Sequence, residues 1–268
     1  MKMKMMMKMM MTVLWVLLPY GVSAGSIMSP VGHKPVGSSP LDMAENSVDD
    51  MYKDCSTQME KKVKEYLKKE LNKDPVFKKT WTEAEKWYDH TNENVNLSKE
   101  QKMALYAYTS STEKIYKLFN EATREQGPEY KTTFKYHALH FYLTTALQTL
   151  RAHQKPCYNV YRRTWTYYSD NDVNNKKIRF GSFASTSEEK GHKGFGDKGC
   201  FEIETCMGAD ISKFSKYKQK EVLIPPYEVF TVTKITRRSK QRGLWCHVVY
   251  ELKSTGDKSN LNCALFQK

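Results

Sequence analysis

Three polar features stand at the ends of apolar segments in the second half of the chain, and their residue types could support chemistry. Arg162 follows an apolar pair, a hydroxyl-rich run occupies 185–187, and Glu221 precedes a strongly apolar run. A guanidinium, hydroxyls and a carboxylate at strand ends could line one cleft, where the guanidinium offers paired hydrogen bonds. Charged residues at strand ends are usually just solvated, so the pattern alone leaves that simpler interpretation open.

Short strands must position these residues. The candidate strands are 157–165, 177–185, 200–206, 221–225, 227–235 and 244–252. Each combines β-branched or aromatic residues with polar alternation, and Gly-, Asn- or Asp-rich breaks separate them. Under this assignment Arg162, Ser185 and Glu221 belong to three different strands.

Before Cys157 the pattern is helical, over about 44–155, because apolar residues recur at steps of three and four. The predicted helical segments are about 59–71, 81–88, 98–119 and 133–154. Ser98 and Gln101 have the spacing of a capping box, which predicts the start of one long helix. A helical half followed by a run of strands predicts an α+β fold. We expect a single domain over 44–268, its helices packed on a mixed, mostly antiparallel β core.

The first 24 residues predict a secretory signal peptide. Lysines precede a short apolar stretch, and Val22, Ser23 and Ala24 form a small-residue cleavage site. A signal anchor is the alternative, which the shortness of the apolar stretch disfavours. The Pro-, Gly- and Ser-rich segment 25–43 predicts a flexible leader. No second apolar run or hydrophobic C-terminal tail follows, so we expect a secreted, extracellular chain with no transmembrane segment and no lipid anchor.

The net charge is +13, and without the three lysines of the signal peptide it is +10. Basic surfaces bind nucleic acids, acidic glycans or membranes. The basic residues are scattered and no nucleic-acid motif is present, so we expect no nucleic-acid partner and at most weak polyanion binding. A solvated basic surface is the simpler alternative.

The chain has six cysteines, which behind a signal peptide predict three disulfides, and about fifteen pairings are open. No C-x-x-C spacing suggests zinc, and the pair His137 and His140 has no third ligand, so we expect no metal. Asn96 begins the chain's one glycosylation sequon and is expected on a surface loop.

The chain resembles the arginine-specific mono-ADP-ribosyltransferases of vertebrate cell surfaces. The motifs that carry the resemblance are DDMYKDC, LYAYTSST, IYKLFNEATRE and HALHFYLTTALQTL in the helical half, and VYR, IRFGSFASTS, FEIETCMGADISKFS and KEVLIPPYEVF in the strand half. They occur in order over nearly the whole predicted mature chain. The resemblance implies a glycoprotein enzyme that uses NAD or NADP as a substrate, cleaves the nicotinamide–ribose bond and transfers ADP-ribose to an extracellular or cell-surface protein.

The resemblance implies roles for individual residues. Arg162 would hold the NAD diphosphate, Ser185 would orient the catalytic carboxylate near the ribose, and Glu221 would stabilise an oxocarbenium-like transition state. Phe195 would stack on nicotinamide, and a place in the packed core is the open alternative for Phe195 and for Tyr108. The further NAD contacts implied are Tyr108, Ser182, Ser187 and Ser215. The implied disulfides are Cys55–Cys263, Cys157–Cys206 and Cys200–Cys246.

Three positions depart from the family pattern. Gln219 replaces the first Glu of the family's Glu-x-Glu, whose carboxylate pairs with an acceptor guanidinium, so NAD hydrolysis by water stays open beside transfer to arginine. A binding protein without activity is a further alternative, which the intact Arg162, Ser185 and Glu221 disfavour. Arg163 replaces a Gly and is expected to crowd its strand end, and Ser182 replaces a Gln. The Glu-x-Glu at 202–204 is interpreted as a decoy, because the apolar run marks Glu221.

Overall fold

The computed structural model describes residues 38–91, 95–110, 115–169, 173–191, 193–216 and 220–267. The predicted signal peptide, most of the predicted leader and Gln219 lie outside the described residues. The described part of the chain belongs to one compact unit. No helix within these ranges is long and apolar enough to cross a membrane.

Five α-helices form the first half of the described chain. They are α1 (Ser56–Lys73), α2 (Pro75–Tyr88), α3 (Lys99–Thr109), α4 (Ile115–Glu125) and α5 (His137–Arg151). The capping box predicted at the start of α3 is confirmed, since the Ser98 hydroxyl accepts from the Gln101 amide and the Gln101 side chain accepts from the Ser98 amide. Asp74 caps α2 in a similar way by accepting from the amides of Val76 and Phe77.

The prediction of one long helix over 98–119 is wrong. Helix α3 ends at Thr109, Ser110 has an extended backbone (φ −69°, ψ 124°), and α4 begins at Ile115. The intervening run 109–112 consists of Thr and Ser, whose hydroxyls compete for backbone hydrogen bonds and disfavour helix interiors. This break lets α3 and α4 pack against each other as separate helices.

Helix α5 is the centre of the helical layer, because every residue from His137 to Leu147 is buried. His140 makes hydrogen bonds with the Tyr52 hydroxyl (2.8 Å) and the Val48 carbonyl (3.0 Å). His137 makes one with the Tyr130 carbonyl (2.7 Å). Both imidazoles are therefore part of the packed core.

The strand half forms an eight-stranded mixed sheet and a small two-stranded one. The strands are β1 (Ser38–Pro40), β2 (Tyr158–Arg162), β3 (Tyr167–Ser169), β4 (Lys177–Ile178), β5 (Ala184–Ser187), β6 (Gly199–Thr205), β7 (Ala209–Asp210), β8 (Glu221–Ile224), β9 (Glu228–Arg237) and β10 (Val248–Asp257). The large sheet has the order β4-β9-β10-β6-β2-β5-β8-β7. Its β6–β10 pair is parallel and its other pairs are antiparallel, which confirms the predicted α+β class.

Two predicted strands have different limits in the structure. The segment 177–185 is divided into β4, which pairs with β9, and β5, which pairs with β2 and β8. Gly181 lies between them with φ +66°, a left-handed conformation that ends an extended run. The predicted strand 244–252 begins only at Val248 in the structure, and β10 then continues to Asp257.

Three disulfides join distant parts of the chain. They are Cys55–Cys263, Cys157–Cys206 and Cys200–Cys246, the pairing implied by the family resemblance. The first connects the start of α1 to the C-terminal segment, the second connects the segments before β2 and after β6, and the third connects β6 to the segment before β10. The first disulfide therefore links the start of the helical half to the C-terminal segment.

Candidate active site

Strands β2, β5 and β8 are neighbours in the large sheet, and they bring the three predicted catalytic residues together. Ser187 pairs with Glu221 across the β5–β8 ladder, and Ser185 pairs with Leu223. On the other side, β5 pairs with β2 through the single register pair Tyr161 and Ser187. Because paired residues on antiparallel strands lie side by side, the ends of these strands form one local group.

Arg162 links β2 to β5 beyond the point where their ladder ends. Its Nη1 donates a hydrogen bond of 2.5 Å to the Ser185 carbonyl oxygen. A guanidinium carries five N–H donors, so this bond leaves others for an anionic ligand. Arg162 is half-buried, which holds its charge close to Ser185.

Glu221 is the acidic member of the group. The Ser215 hydroxyl donates to its Oε2 at 2.7 Å, and its backbone amide donates to the Ser212 hydroxyl at 2.9 Å. Burial raises the pKa of the Glu221 carboxyl, while the Ser215 and Ser185 hydroxyls and the charge of Arg162 lower it. Three surrounding groups thus favour the ionised carboxylate in a place where burial opposes it.

Tyr108 from α3 lies beside the same strands. The Tyr108 side chain is buried. Its hydroxyl donates to the Phe183 carbonyl (3.0 Å) and accepts from the Asn120 side-chain amide (2.9 Å). Burial raises the pKa of the Tyr108 hydroxyl, whereas Asn120, the charge of Arg162 and the Ser185 hydroxyl lower it. Asn120 was missed by the sequence reasoning, and its place in an amphipathic helix offered no signal for it.

Two of the other predicted NAD contacts have partners within the protein. The Ser182 hydroxyl is almost fully buried (2% of the residue is exposed) and accepts from Nη2 of Arg124 at 2.7 Å. The Ser187 hydroxyl accepts from the Glu189 amide at 3.1 Å, at the end of β5. The structure therefore places Ser187 next to Glu221, whereas Ser182 lies before β5 and is bound to a helical arginine.

Phe195 ends a short 3₁₀ turn, Lys193–Phe195, and 54% of it is exposed. Arg163, which was expected to crowd its strand end, makes its side-chain hydrogen bonds with a neighbouring segment. Its Nε donates to the carbonyls of Lys190 (2.7 Å) and Gly191 (3.2 Å), so the side chain extends toward the segment that carries Phe195.

A comparison with protein families identifies the family of the chain. A family model described as NAD:arginine ADP-ribosyltransferase matches residues 41–259, a span that includes Arg162, Ser185 and Glu221. The chain belongs to this family. Its membership makes it an enzyme of the ADP-ribosyltransferase class with NAD as substrate.

Individual ADP-ribosyltransferases are similar over most of their length. NAD(P)(+)–arginine ADP-ribosyltransferase 1 of Gallus gallus is 37% identical over 238 residues, which cover 85% of this chain and 73% of that protein. T-cell ecto-ADP-ribosyltransferase 1 of Rattus norvegicus is 37% identical over 237 residues, covering 85% and 80%. A mutant of the eucaryotic mono-ADP-ribosyltransferase ART2.2, solved in complex with NADH, superposes with a TM-score of 0.70 at 34% identity, covering 85% of this chain and 99% of that one.

In this ADP-ribosyltransferase the Glu-x-Glu of β6 is engaged elsewhere. Glu202 accepts from the Trp245 indole (2.9 Å) and pairs with Lys190 (3.2 Å). Glu204 lies 3.9 Å from the Lys253 ammonium on β10. Gln219, the residue that stands in the family's acceptor position, lies outside the described residues, so its role remains a prediction from the sequence.

Proposed function

We propose that this protein binds NAD at the ends of β2, β5 and β8, breaks the bond between nicotinamide and ribose, and transfers ADP-ribose to a protein side chain. The observation that carries the proposal is the convergence of the Arg162 guanidinium, Ser185 and the Glu221 carboxylate on neighbouring strands. Family membership supports the same chemistry.

Each residue has a task in this scheme. Arg162 holds the diphosphate with the N–H donors that Ser185 does not use. Ser185 orients Glu221, whose carboxylate accepts a hydrogen bond from a ribose hydroxyl. As the C1′–N bond breaks, nicotinamide leaves with the electron pair of that bond, and the negative charge of Glu221 stabilises the oxocarbenium-like ribose. A nucleophile of the acceptor then bonds to C1′ and releases a proton.

The remaining predicted contacts complete the binding site. Phe195 stacks its exposed ring on nicotinamide, Ser187 lies beside Glu221, and Tyr108 contacts the segment that leads into β5. Ser215 holds the carboxylate that acts on the ribose. We assign Ser182 a supporting position, because its buried hydroxyl binds Arg124.

The first experiment replaces the proposed catalytic carboxylate without changing its size. Glu221→Gln removes the charge that stabilises the transition state, so we expect kcat for nicotinamide release to fall by about 100-fold or more. The matched control is Glu204→Gln, which makes the same change in the Glu-x-Glu of β6 and is expected to keep the rate within about 3-fold of wild type. Equal rates in wild type and Glu221→Gln would exclude Glu221 from the reaction.

A second candidate function is NAD hydrolysis, and the residue that favours it is Gln219. A neutral amide cannot pair with the charge of an acceptor guanidinium, whereas water needs no such pairing. The cleft and the bond broken are the same in both functions, and only the acceptor differs.

Gln219→Glu separates the two functions. Restoring the carboxylate should raise the ratio of ADP-ribosyl-agmatine to free ADP-ribose, by about 10-fold if it contributes one charge-assisted hydrogen bond. Both products are measured from radiolabelled NAD with and without agmatine. Gln219→Asn, which stays neutral, is the control, and an unchanged ratio in Gln219→Glu would show that this position does not select the acceptor.

The N-terminal segment and the class of acceptor indicate the location in which the protein acts. We propose that residues 1–24 direct secretion, that Asn96 is glycosylated, and that the acceptors are extracellular or cell-surface proteins. Asn96 is exposed before α3, which makes its amide accessible. The net positive charge also gives the protein weak binding to acidic glycans. The protein should be retained on heparin and should elute after a small rise in salt concentration, because salt weakens such binding.

A further inference from the structure

Two consecutive arginines at the end of β2 hold two different parts of the molecule. Arg162 donates to Ser185 on β5. The Arg163 side chain extends to Lys190 and Gly191 instead. The two side chains therefore bind different segments, although the residues are neighbours in the chain.

The Arg163 guanidinium contacts the chain on both sides of Phe195. Its Nε donates to the Lys190 carbonyl at 2.7 Å, before the 3₁₀ turn. Its Nη1 donates to the Gly196 carbonyl at 3.2 Å, directly after the turn. A planar guanidinium with several donors can bridge two carbonyls in this way. One side chain therefore fixes the entry and the exit of the turn.

Trp245 contacts the guanidinium through both its ring and its backbone. The centre of the Arg163 guanidinium lies 4.6 Å from the Trp245 ring, and Nη1 also donates to the Trp245 carbonyl at 3.4 Å. The indole N–H of Trp245 donates to Glu202 on β6 at 2.9 Å. The next residue, Cys246, is bonded to Cys200 on the same strand. The support for Arg163 is thus tied to the sheet by a hydrogen bond and a disulfide.

The position of the Phe195 ring depends on this backbone. Within the described residues, Phe195 stacks on no other ring, and 54% of it is exposed. Gly196 packs against the backbone of Thr164, where a Cβ would lie 2.2 Å from the Thr164 carbonyl carbon, and its φ is +108°. Phe195 is the last residue of the turn and directly precedes this contact, so the backbone of the turn determines where the ring lies.

We propose that Arg163 is a positioning residue: by bridging Lys190 and Gly196 it holds the turn that presents Phe195 to the nicotinamide ring. The inference rests on the proposed function for the role of Phe195, and on the geometry alone for the role of Arg163. Its consequence is that NAD affinity depends on a residue that does not touch NAD.

Steady-state kinetics of nicotinamide release test this proposal. Arg163→Ala frees the turn, so we expect KM for NAD to rise by about 10-fold while kcat stays within about 3-fold, the pattern of lost binding that is equal in ground and transition states. Arg242→Ala removes the same charge from an exposed turn and should leave both constants unchanged. A fall in kcat with unchanged KM in Arg163→Ala would overturn the proposal.

A double-mutant cycle asks whether Arg163 acts through Phe195. If it does, Arg163→Ala raises KM by about 10-fold in the wild-type background and by less than about 2-fold in Phe195→Ala, because the ring that it positions is gone. Effects that multiply in the double variant would overturn the proposal. Arg163→Lys keeps the charge but lacks the planar, separated donors that reach both carbonyls, so it should keep only part of the NAD affinity.

Hydrogen exchange without NAD separates this inference from the proposed function. In Arg163→Ala, the amides of 190–196 should exchange faster than in wild type, whereas those of Arg242→Ala should not. This outcome supports positioning by Arg163 even if the wild type releases no nicotinamide, in which case the proposed function fails instead. Unchanged exchange in Arg163→Ala, or in Arg163→Met if the alanine variant does not fold, would overturn the proposal, because both changes remove the donors to Lys190 and Gly196.

Discussion

At the scale of single residues, the environment of Glu221 contains opposing influences on its carboxyl group. Burial raises the pKa of the group, and hydrogen bonds from Ser215 and Ser185 together with the charge of Arg162 lower it. The proposed reaction needs the ionised form. These neighbours therefore set the pH below which the enzyme loses activity.

Ser215→Ala tests this balance through the pH profile. Removing a hydrogen bond to the carboxylate raises the pKa of Glu221, so the acidic limb of kcat/KM should move to higher pH, because activity is lost as pH falls through that pKa. The rate at pH 8 should remain within about 5-fold of wild type, since one hydrogen bond contributes on the order of 1 kcal/mol. The measurement is kcat/KM for nicotinamide release between pH 4 and 9.

Ser212→Ala is the matched control for that profile. The Ser212 hydroxyl accepts from the backbone amide of Glu221, whereas the Ser215 hydroxyl donates to its carboxylate. Its removal should leave the acidic limb in place. If both variants shift the limb equally, the effect comes from the local backbone and the role given to Ser215 is wrong.

Some residues of the candidate site were predictable from the sequence and others were not. Arg162, Ser185 and Glu221 were recognisable because their motifs occur in order along the chain. Asn120 was not, because an amide on a helix has no local signature and its importance comes from the Tyr108 hydroxyl it contacts. The direction of the Arg163 side chain was likewise hidden, since it depends on a segment nearly thirty residues away.

At the scale of elements, capping decides where α3 begins. Ser98 and Gln101 exchange hydrogen bonds with each other's backbone amides, which satisfies donors that the first helical turn leaves unpaired. Helix α3 carries Tyr108 at its other end. The cap is therefore linked through one helix to the edge of the candidate site.

Ser98→Ala should lower the free energy of unfolding by about 1 kcal/mol, the usual contribution of an N-cap hydroxyl. The measurement is urea denaturation of protein made without glycosylation, because Ser98 also completes the sequon of Asn96. As a control, Thr82→Ala removes an exposed hydroxyl within α2 and should change stability by less than about 0.5 kcal/mol. Similar losses in both variants would refute a specific capping role.

At the scale of the whole molecule, the segment before α1 joins the helical layer to the C-terminal end. Asp50 accepts hydrogen bonds from the amides of Tyr52 (2.8 Å) and Cys263 (2.9 Å) and from the Tyr130 hydroxyl (2.8 Å). The disulfide Cys55–Cys263 closes the same junction. Burial raises the pKa of Asp50 to about 6, although the three hydrogen bonds act in the opposite direction.

This raised pKa predicts how stability depends on pH. The folded state holds the Asp50 proton more tightly than the unfolded state, so its contribution is fully present below the ordinary pKa near 3.8 and is lost as pH rises through about 6. Relative to Asp50→Asn, the wild type should therefore lose about 2 to 3 kcal/mol of unfolding free energy between pH 4 and 7.

Urea denaturation at a series of pH values provides the test. The wild type minus Asp50→Asn difference removes the titration of all other groups, and it should become constant above pH 7. Asp54→Asn makes the same change at an exposed neighbouring position and serves as the matched control. Parallel curves for wild type and Asp50→Asn would show that Asp50 does not titrate in this way.

Local patterns in the sequence determined the helical half, the run of strands, the capping box at Ser98 and the residue types needed for the proposed chemistry. These features are encoded by spacing along the chain, which sets periodicity and caps. Tertiary structure alone decided that β2, β5 and β8 are neighbours, that β6 pairs in parallel with β10, and that Arg163 holds the turn of Phe195. Strand order and side-chain direction depend on contacts between residues far apart in the chain, and no local pattern encodes which of the available partners a strand or a guanidinium will bind.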